Sequence, residues 1–291
     1  MEFLTDPHGW WIEPFSENSF MLDALWAGLL AVLATSVVGT WVVLRGMSFL
    51  GDALAHGVLP GIAVAFVIDG NIMLGAFVAA LAMVGGINLI HTYSPLPEDT
   101  ATGILFVGFL ALGVVIMSSH SGSYAGDLNS FLFGSITGVD DGDLVRQGLA
   151  AAISLVGVIV FYRAFLVLTF DETQARLLGL APRLAHIGLL VLLVISIVAS
   201  FETVGSLLVF AFLIAPPATA ALIVRSVPMI MTLAVGVGSL AVVVGLLISF
   251  HHGTAAGATM ALSAVTLFFL ALLGSSIAVA LSRRTQVVAA T

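Results

Sequence analysis

A chain of 291 residues that is 60% hydrophobic and only 8% charged is not a soluble domain, because soluble proteins carry about a quarter charged residues. Its eight basic residues are all Arg and its net charge is −8, so the basic footprint of a nucleic-acid binder is missing. With no Cys, disulfides, thiolate metal sites and Cys nucleophiles are excluded. The class that remains is an all-α, polytopic membrane protein.

Residues 1–20 are acidic and aromatic, with Trp10, Trp11, Phe15 and Phe20. They lack the basic start of a cleaved signal peptide and read as an extracytoplasmic, interfacial segment anchored by Trp. One transmembrane domain is expected over 21–284, followed by a cytoplasmic tail over 285–291. Apolar runs long enough to span lie at about 21–44, 49–68, 72–91, 101–119, 143–163, 185–201, 204–224, 228–250 and 255–281. That makes nine spans. Gly is abundant within them, as expected where helices pack closely without a hydrophobic drive between them.

Arg placement gives the orientation. With the N-terminus outside, Arg45, Arg163, Arg176, Arg183, Arg225, Arg283 and Arg284 fall inside and only Arg146 falls outside. The C-terminus is then cytoplasmic. Two connections are more than simple loops. Residues 128–138 are apolar but too short to span, and suit a re-entrant or interfacial half-helix. In the long inside connection, Asp171 and Glu172 are start signals, and Gly179 and Pro182 are stop signals, for a short cytoplasmic helix at about 171–179.

The chemistry concentrates between spans 1 and 2, in Arg45-Gly-Met-Ser-Phe-Leu-Gly-Asp-Ala-Leu-Ala-His-Gly-Val-Leu-Pro-Gly61. Ionisable groups beside a membrane span are a functional hypothesis by default. Asp52 and His56 stand four residues apart, on one helix face. Two readings fit that spacing. The pair is an Asp–His hydrogen bond at a helix start, or an oxygen and a nitrogen ligand for one cation such as Zn²⁺ or Mn²⁺. Gly51 before the pair and Pro60-Gly61 after it favour a special backbone, of the kind that lines a substrate path. Two ligands do not close a site. A dimer with this helix near its two-fold axis would double them, and a transport site has to release its ion.

A second constellation runs from Gly205 to Ala220 and contains Pro216-Pro217. Two prolines in a span remove two backbone donors and kink or interrupt it. The readings are a packing kink or a gate-forming helix. Glu202, His251 and His252 fall at outside turns, either as solvated groups or as a cation entrance. His120 is in an outside loop, and His91 and His186 lie near inside span ends. No H-E-x-x-H, G-x-S-x-G or Walker A motif is present. The chain is therefore not read as an enzyme, and any ATP hydrolysis would belong to a separate subunit.

These residues resemble a family. The block Val43–Ala63 looks like the signature of the membrane permease of bacterial zinc/manganese/iron ABC importers, the ABC-3 type metal permeases. Phe131-Leu-Phe-Gly-Ser135, Phe170–Leu180 and Ile214-Ala-Pro-Pro-Ala-Thr-Ala220 agree in order and spacing. The resemblance covers about residues 20–281 and is closest to the zinc permeases, with manganese and iron permeases as alternatives. It implies a type II ABC importer-like homodimer in the bacterial plasma membrane, with the ion path between the two copies. Two cytoplasmic ATP-binding cassette subunits would drive it, and an extracytoplasmic solute-binding protein would deliver Zn²⁺ or Mn²⁺. No cofactor would be held permanently. The family's metal ligands match Asp52 and His56. Its ATPase-coupling segment matches residues 171–182, including Asp171, Glu172, Ala175 and Gly179. Gly51, Pro60, Gly61, Gly205, Pro216 and Pro217 are expected along the pathway or gate. The Trp-containing N-terminal segment and His251-His252 depart from the common pattern. Rival readings are a permease for larger metal chelates, an ATP-independent proton-coupled carrier, and an intramembrane metal-dependent enzyme.

Overall fold

The computed structural model describes residues 7–119, 138–171, 174, 177 and 181–289. Two short helices, α1 (Pro7–Trp11) and α2 (Glu13–Glu17), precede the bundle. The bundle begins with α3 (Ser19–Leu44), α4 (Ser48–Gly57), α5 (Leu59–Val67), α6 (Ile72–Tyr93) and α7 (Glu98–Ser118). It continues with α8 (Asp141–Phe170), α9 (Pro182–Val204), α10 (Ser206–Ile223), α11 (Val227–His252) and α12 (Ala256–Ala289). Among the described residues, nine helical segments are long and apolar enough to cross a membrane, with α4 and α5 together forming one of them. The expected all-helical, nine-span architecture is what the chain adopts.

The fifth span is longer than expected and runs past Arg163 to Phe170. Its start is fixed by a capping box. The Asp140 carboxylate accepts from Asp143 N at 2.7 Å, and the Asp143 carboxylate accepts from Asp140 N at 3.2 Å. Arg146 pairs with Asp143 one turn on. Pro182 opens α9 rather than only closing what precedes it, following Ala181 at φ +44°. The last helix continues through the expected tail to Ala289.

α3 is the centre of the bundle. Of its most apolar stretch 72% is buried, against 17% for α7, and it packs on α8, α9, α10 and α11. Small residues make this possible, since helices in lipid associate through close van der Waals contact and hydrogen bonds. A Cβ at Gly28 would lie 2.7 Å from Val242 Cγ1 on α11. Polar side chains add cross-links: Ser154 and Ser196 hydroxyls meet at 2.8 Å between α8 and α9, and Ser196 also donates to the Ala34 carbonyl of α3 at 3.2 Å.

The proline pair does not interrupt α10, which runs unbroken from Ser206 to Ile223. Pro216 and Pro217 cannot donate to the carbonyls of Phe212 and Leu213, four residues earlier. α3 satisfies or covers both. Ser36 Oγ donates to Phe212 O at 3.1 Å. The Leu213 carbonyl lies against Gly39, where a Cβ would come within 2.0 Å of the oxygen. Gly205 alone separates α9 from α10, at φ +79° and ψ 159°, a region essentially confined to glycine.

The orientation expected from Arg placement is open to a direct test in a chain that lacks Cys. Ser226→Cys and Thr254→Cys place single thiols in exposed connections at opposite ends of α11. In right-side-out vesicles a membrane-impermeant maleimide should label Thr254→Cys and spare Ser226→Cys. The reverse pattern would turn the topology over.

Candidate metal site

The chain leaves α3 through Arg45 and turns at Gly46, whose φ of +70° calls for glycine. α4 starts two residues later. Along it Leu50, Gly51, Ala53, Leu54, Ala55 and Gly57 are buried, which leaves Asp52 and His56 as the partly open face. Asp52 Oδ1 and His56 Nε2 are 3.6 Å apart, with the side chains 31% and 27% exposed. That separation is too long for a hydrogen bond and within reach of an ion pair. It is close to the spacing across a cation's shell, since two ligands about 2.1 Å from a tetrahedral metal stand about 3.4 Å apart. Phe106 of α7 lies beside the pair, 6.0 Å from the His56 ring and 6.0 Å from that of Phe49. Among the described residues no third His, Asp or Glu joins them.

The second span is divided at Val58 because Pro60 has no N–H to give to the His56 carbonyl. The path continues in the same direction, with Ile62 N donating to Val58 O at 3.1 Å. Ser48–Val67 is 20 residues, about 30 Å at 1.5 Å per residue. Asp52 is the fifth residue and His56 the ninth, so His56 lies about 12 Å along the span, close to its middle. The donor pair is thus not confined to the span's first turn.

Glycines hold this broken helix on several sides. A Cβ at Gly51 would lie 2.3 Å from Leu213 Cδ2, and one at Gly57 would lie 2.2 Å from Met83 Sδ. Gly61 meets α6 backbone to backbone, with a Cβ there 1.9 Å from Gly75 O. Gly113 of α7 fits against Leu59 and Pro60, where a Cβ would come within 3.1 Å of their backbone. Gly51, Pro60 and Gly61 thus lie on the broken span that carries the donor pair, each against a different neighbouring helix. Pro216 and Pro217 reach it only through Leu213. Gly205 is a turn residue between α9 and α10, away from these contacts.

The remaining candidates separate from the pair. His251 Nε2 donates to the Trp10 carbonyl at 3.1 Å, and the two rings stack at 4.6 Å. The two features outside the common motif pattern, the N-terminal Trp segment and the His pair, thus meet each other. His252 Nδ1 donates to Ile248 O at 3.1 Å. Glu202 is on the last turn of α9, and its side chain lies outside the described residues. At the expected coupling segment, the Asp171 carboxylate accepts from Gln174 N at 2.9 Å, the hydrogen bond of a helix N-cap. Gln174 and Leu177 are helical, and Leu177 is exposed. Glu172, Ala175 and Gly179 lie outside the described residues, as do His120 and residues 128–137 of the expected half-helix. The sequence motifs did not single out Ser36, Gly39, Gly57, Met83, Phe106, Gly113 or Leu213. Gly57 and Leu213 lay inside the stretches singled out, Gly57 directly after His56 and Leu213 within Gly205–Ala220.

Comparison with known proteins defines the class. Residues 17–275 match the ABC 3 transport family, and the chain belongs to it. It is a multi-pass membrane permease of ABC metal importers. Over 262 residues it is 36% identical to the manganese transport system membrane protein MntC of Listeria monocytogenes, covering 90% of this chain and 93% of that one. Over 261 residues it is 35% identical to the chelated iron transport system membrane protein YfeD of Yersinia pestis, covering 90% and 87%. The solved structure of PsaBC from Streptococcus pneumoniae in complex with Fab matches with a TM-score of 0.80 at 33% identity, covering 90% of this chain and 94% of that one. The two relatives are named for manganese and iron, so the leaning of the motifs toward zinc finds no support in them.

Two glycine substitutions separate close packing from helix propensity. Gly61→Ala forces a methyl into the Gly75 carbonyl and should lower the melting temperature in detergent and reduce uptake. Gly85→Ala points into open space on α6 and should be neutral or stabilising, by up to about 1 kcal/mol. Equal melting temperatures for the two would contradict the packing assigned to Gly61.

Proposed function

We propose that this chain is the membrane-spanning half of an ATP-driven importer for a divalent transition metal ion, with Mn²⁺ as its first cargo and Fe²⁺ or Zn²⁺ as alternatives. The observation that carries the reading is the Asp52–His56 pair, an oxygen and a nitrogen 3.6 Å apart on the open face of an otherwise buried, broken helix. Carboxylate and imidazole together suit a borderline or hard divalent ion. The names of the relatives favour Mn²⁺ over Zn²⁺.

In this reading two copies of the chain face each other, and each supplies one Asp and one His. An extracytoplasmic binding protein releases the ion, and the four side chains hold it briefly. Asp52 contributes charge and oxygen ligation. His56 contributes nitrogen ligation. A separate ATPase subunit docks on the inner face at about 171–182 and drives opening toward the cytoplasm. The N-cap at Asp171 and the exposed Leu177 support a short docking helix there.

The test uses the permease assembled with its ATPase subunit in vesicles. Asp52→Ala and His56→Ala should each cut metal-stimulated ATP hydrolysis by about tenfold or more. Unchanged stimulation in both would remove the site. Half-saturating concentrations of Mn²⁺, Fe²⁺ and Zn²⁺ rank the cargo, and a lowest value for Zn²⁺ would restore the zinc reading. Metal uptake by the permease without an ATPase subunit would favour a proton-coupled carrier instead.

A further inference from the structure

Asp52 sits on a helix that is itself short, broken after ten residues, and joined to α3 by a glycine turn. Nothing local fixes its height or rotation to the precision that a two-donor site needs. The restraint comes from outside, from packing on α6, α7, α9 and α10, and two of these contacts are glycine notches that flank the donors in sequence. Gly51 precedes Asp52 and receives Leu213 of α10; Gly57 follows His56 and receives Met83 of α6. The two notches lie on different faces of α4, because successive residues turn by about 100°.

The two plugs differ in stiffness. Met83 is an unbranched thioether that adapts to irregular space. Leu213 is fully buried, and its backbone is pinned on the opposite side. Its own carbonyl lies against Gly39, and the carbonyl before it, at Phe212, takes the Ser36 hydroxyl. Both carbonyls are available for these contacts because Pro216 and Pro217 cannot claim them. A rigid line of contacts therefore runs from Ser36 and Gly39 on α3, through Phe212 and Leu213 on α10, to Gly51 on α4. The residue at its end is the neighbour of Asp52.

We propose that Leu213 is a positioning residue for the metal site: by filling the Gly51 notch it sets the height and rotation of α4, and with them the placement of Asp52 and His56. The assignment rests on the reading of Asp52 and His56 as the metal donors. It gives the proline pair a definite task, which is to free the carbonyls that seat Leu213 against α3.

A size exchange tests it in the complete transporter, with uptake of Mn²⁺ measured against Mn²⁺ concentration and scaled to the amount of assembled complex. Gly51→Ala overfills the notch and should raise the half-saturating Mn²⁺ concentration by about tenfold, more than it lowers the maximal rate. Leu213→Val removes the one carbon that Gly51→Ala adds, so the double variant should return to within about twofold of wild type. Leu213→Ala empties the notch and should also raise the half-saturating concentration, which keeps the test open if Gly51→Ala does not assemble. A double variant no better than the product of its single changes would overturn the assignment. So would a half-saturating concentration unchanged in both Gly51→Ala and Leu213→Ala. Asp52→Asn separates the two levels. If it impairs uptake while the notch variants do not, only the role of Leu213 fails; if it has no effect, the metal site itself fails.

Discussion

The contact on which the bundle depends is the one between α3 and the proline-containing stretch of α10. Two carbonyls without intrahelical donors are costly within a bilayer, where no water can take their place. Ser36 supplies one hydrogen bond, and Gly39 lets the two backbones come close enough to cover the other carbonyl. A side chain at Gly39 would hold the helices apart and expose what they cover. The approach is therefore both the cause and the consequence of the proline pair. Because α3 also packs on α8, α9 and α11, most of the fold is referenced to the same helix.

The donor pair belongs to a different kind of segment. α4 and α5 are short pieces of one span, interrupted by Pro60 and held by glycine contacts to α6, α7 and α10. An intramembrane carboxylate is expensive and persists where it faces a cavity or a partner. Asp52 and His56 meet that condition by facing outward from the buried side of α4. Two donors per chain make a site that is incomplete alone, which suits an ion that must arrive and leave. Rigidity on the buried face and openness on the donor face are complementary requirements of the same helix.

Much of this was legible in the residues. Nine apolar runs fixed the number of spans, since a bilayer admits only helices of about 20 residues or closed barrels. The spacing of Asp52 and His56 already placed them on one face, and the Gly-Met-Ser-Phe-Leu-Gly-Asp block pointed to a metal permease. The capping box at Asp140–Asp143 was not read from the residues, because a cap depends on backbone geometry at the junction. Pro216-Pro217 suggested an interrupted helix. The helix continues, with one freed carbonyl bonded and the other covered by a span about 180 residues earlier in the chain. His251 read as a solvated turn residue or a cation entrance, and the fold sets its ring against Trp10.

The sequence by itself determined the solvent, the number of crossings, the donor chemistry and its helical spacing, because each follows from local composition and the helix repeat. Tertiary structure decided that the Asp52–His56 distance exceeds a hydrogen bond, that the pair extends toward the middle of its span, and that Gly51 is a notch for Leu213. The first depends on side-chain placement on one helix, the second on where that span begins, and the third on two segments about 160 residues apart in the chain. Helices in lipid are held by close contact rather than by an amphipathic pattern, so their partners leave little trace in sequence. A glycine records that something comes near, and only the folded bundle shows what it is.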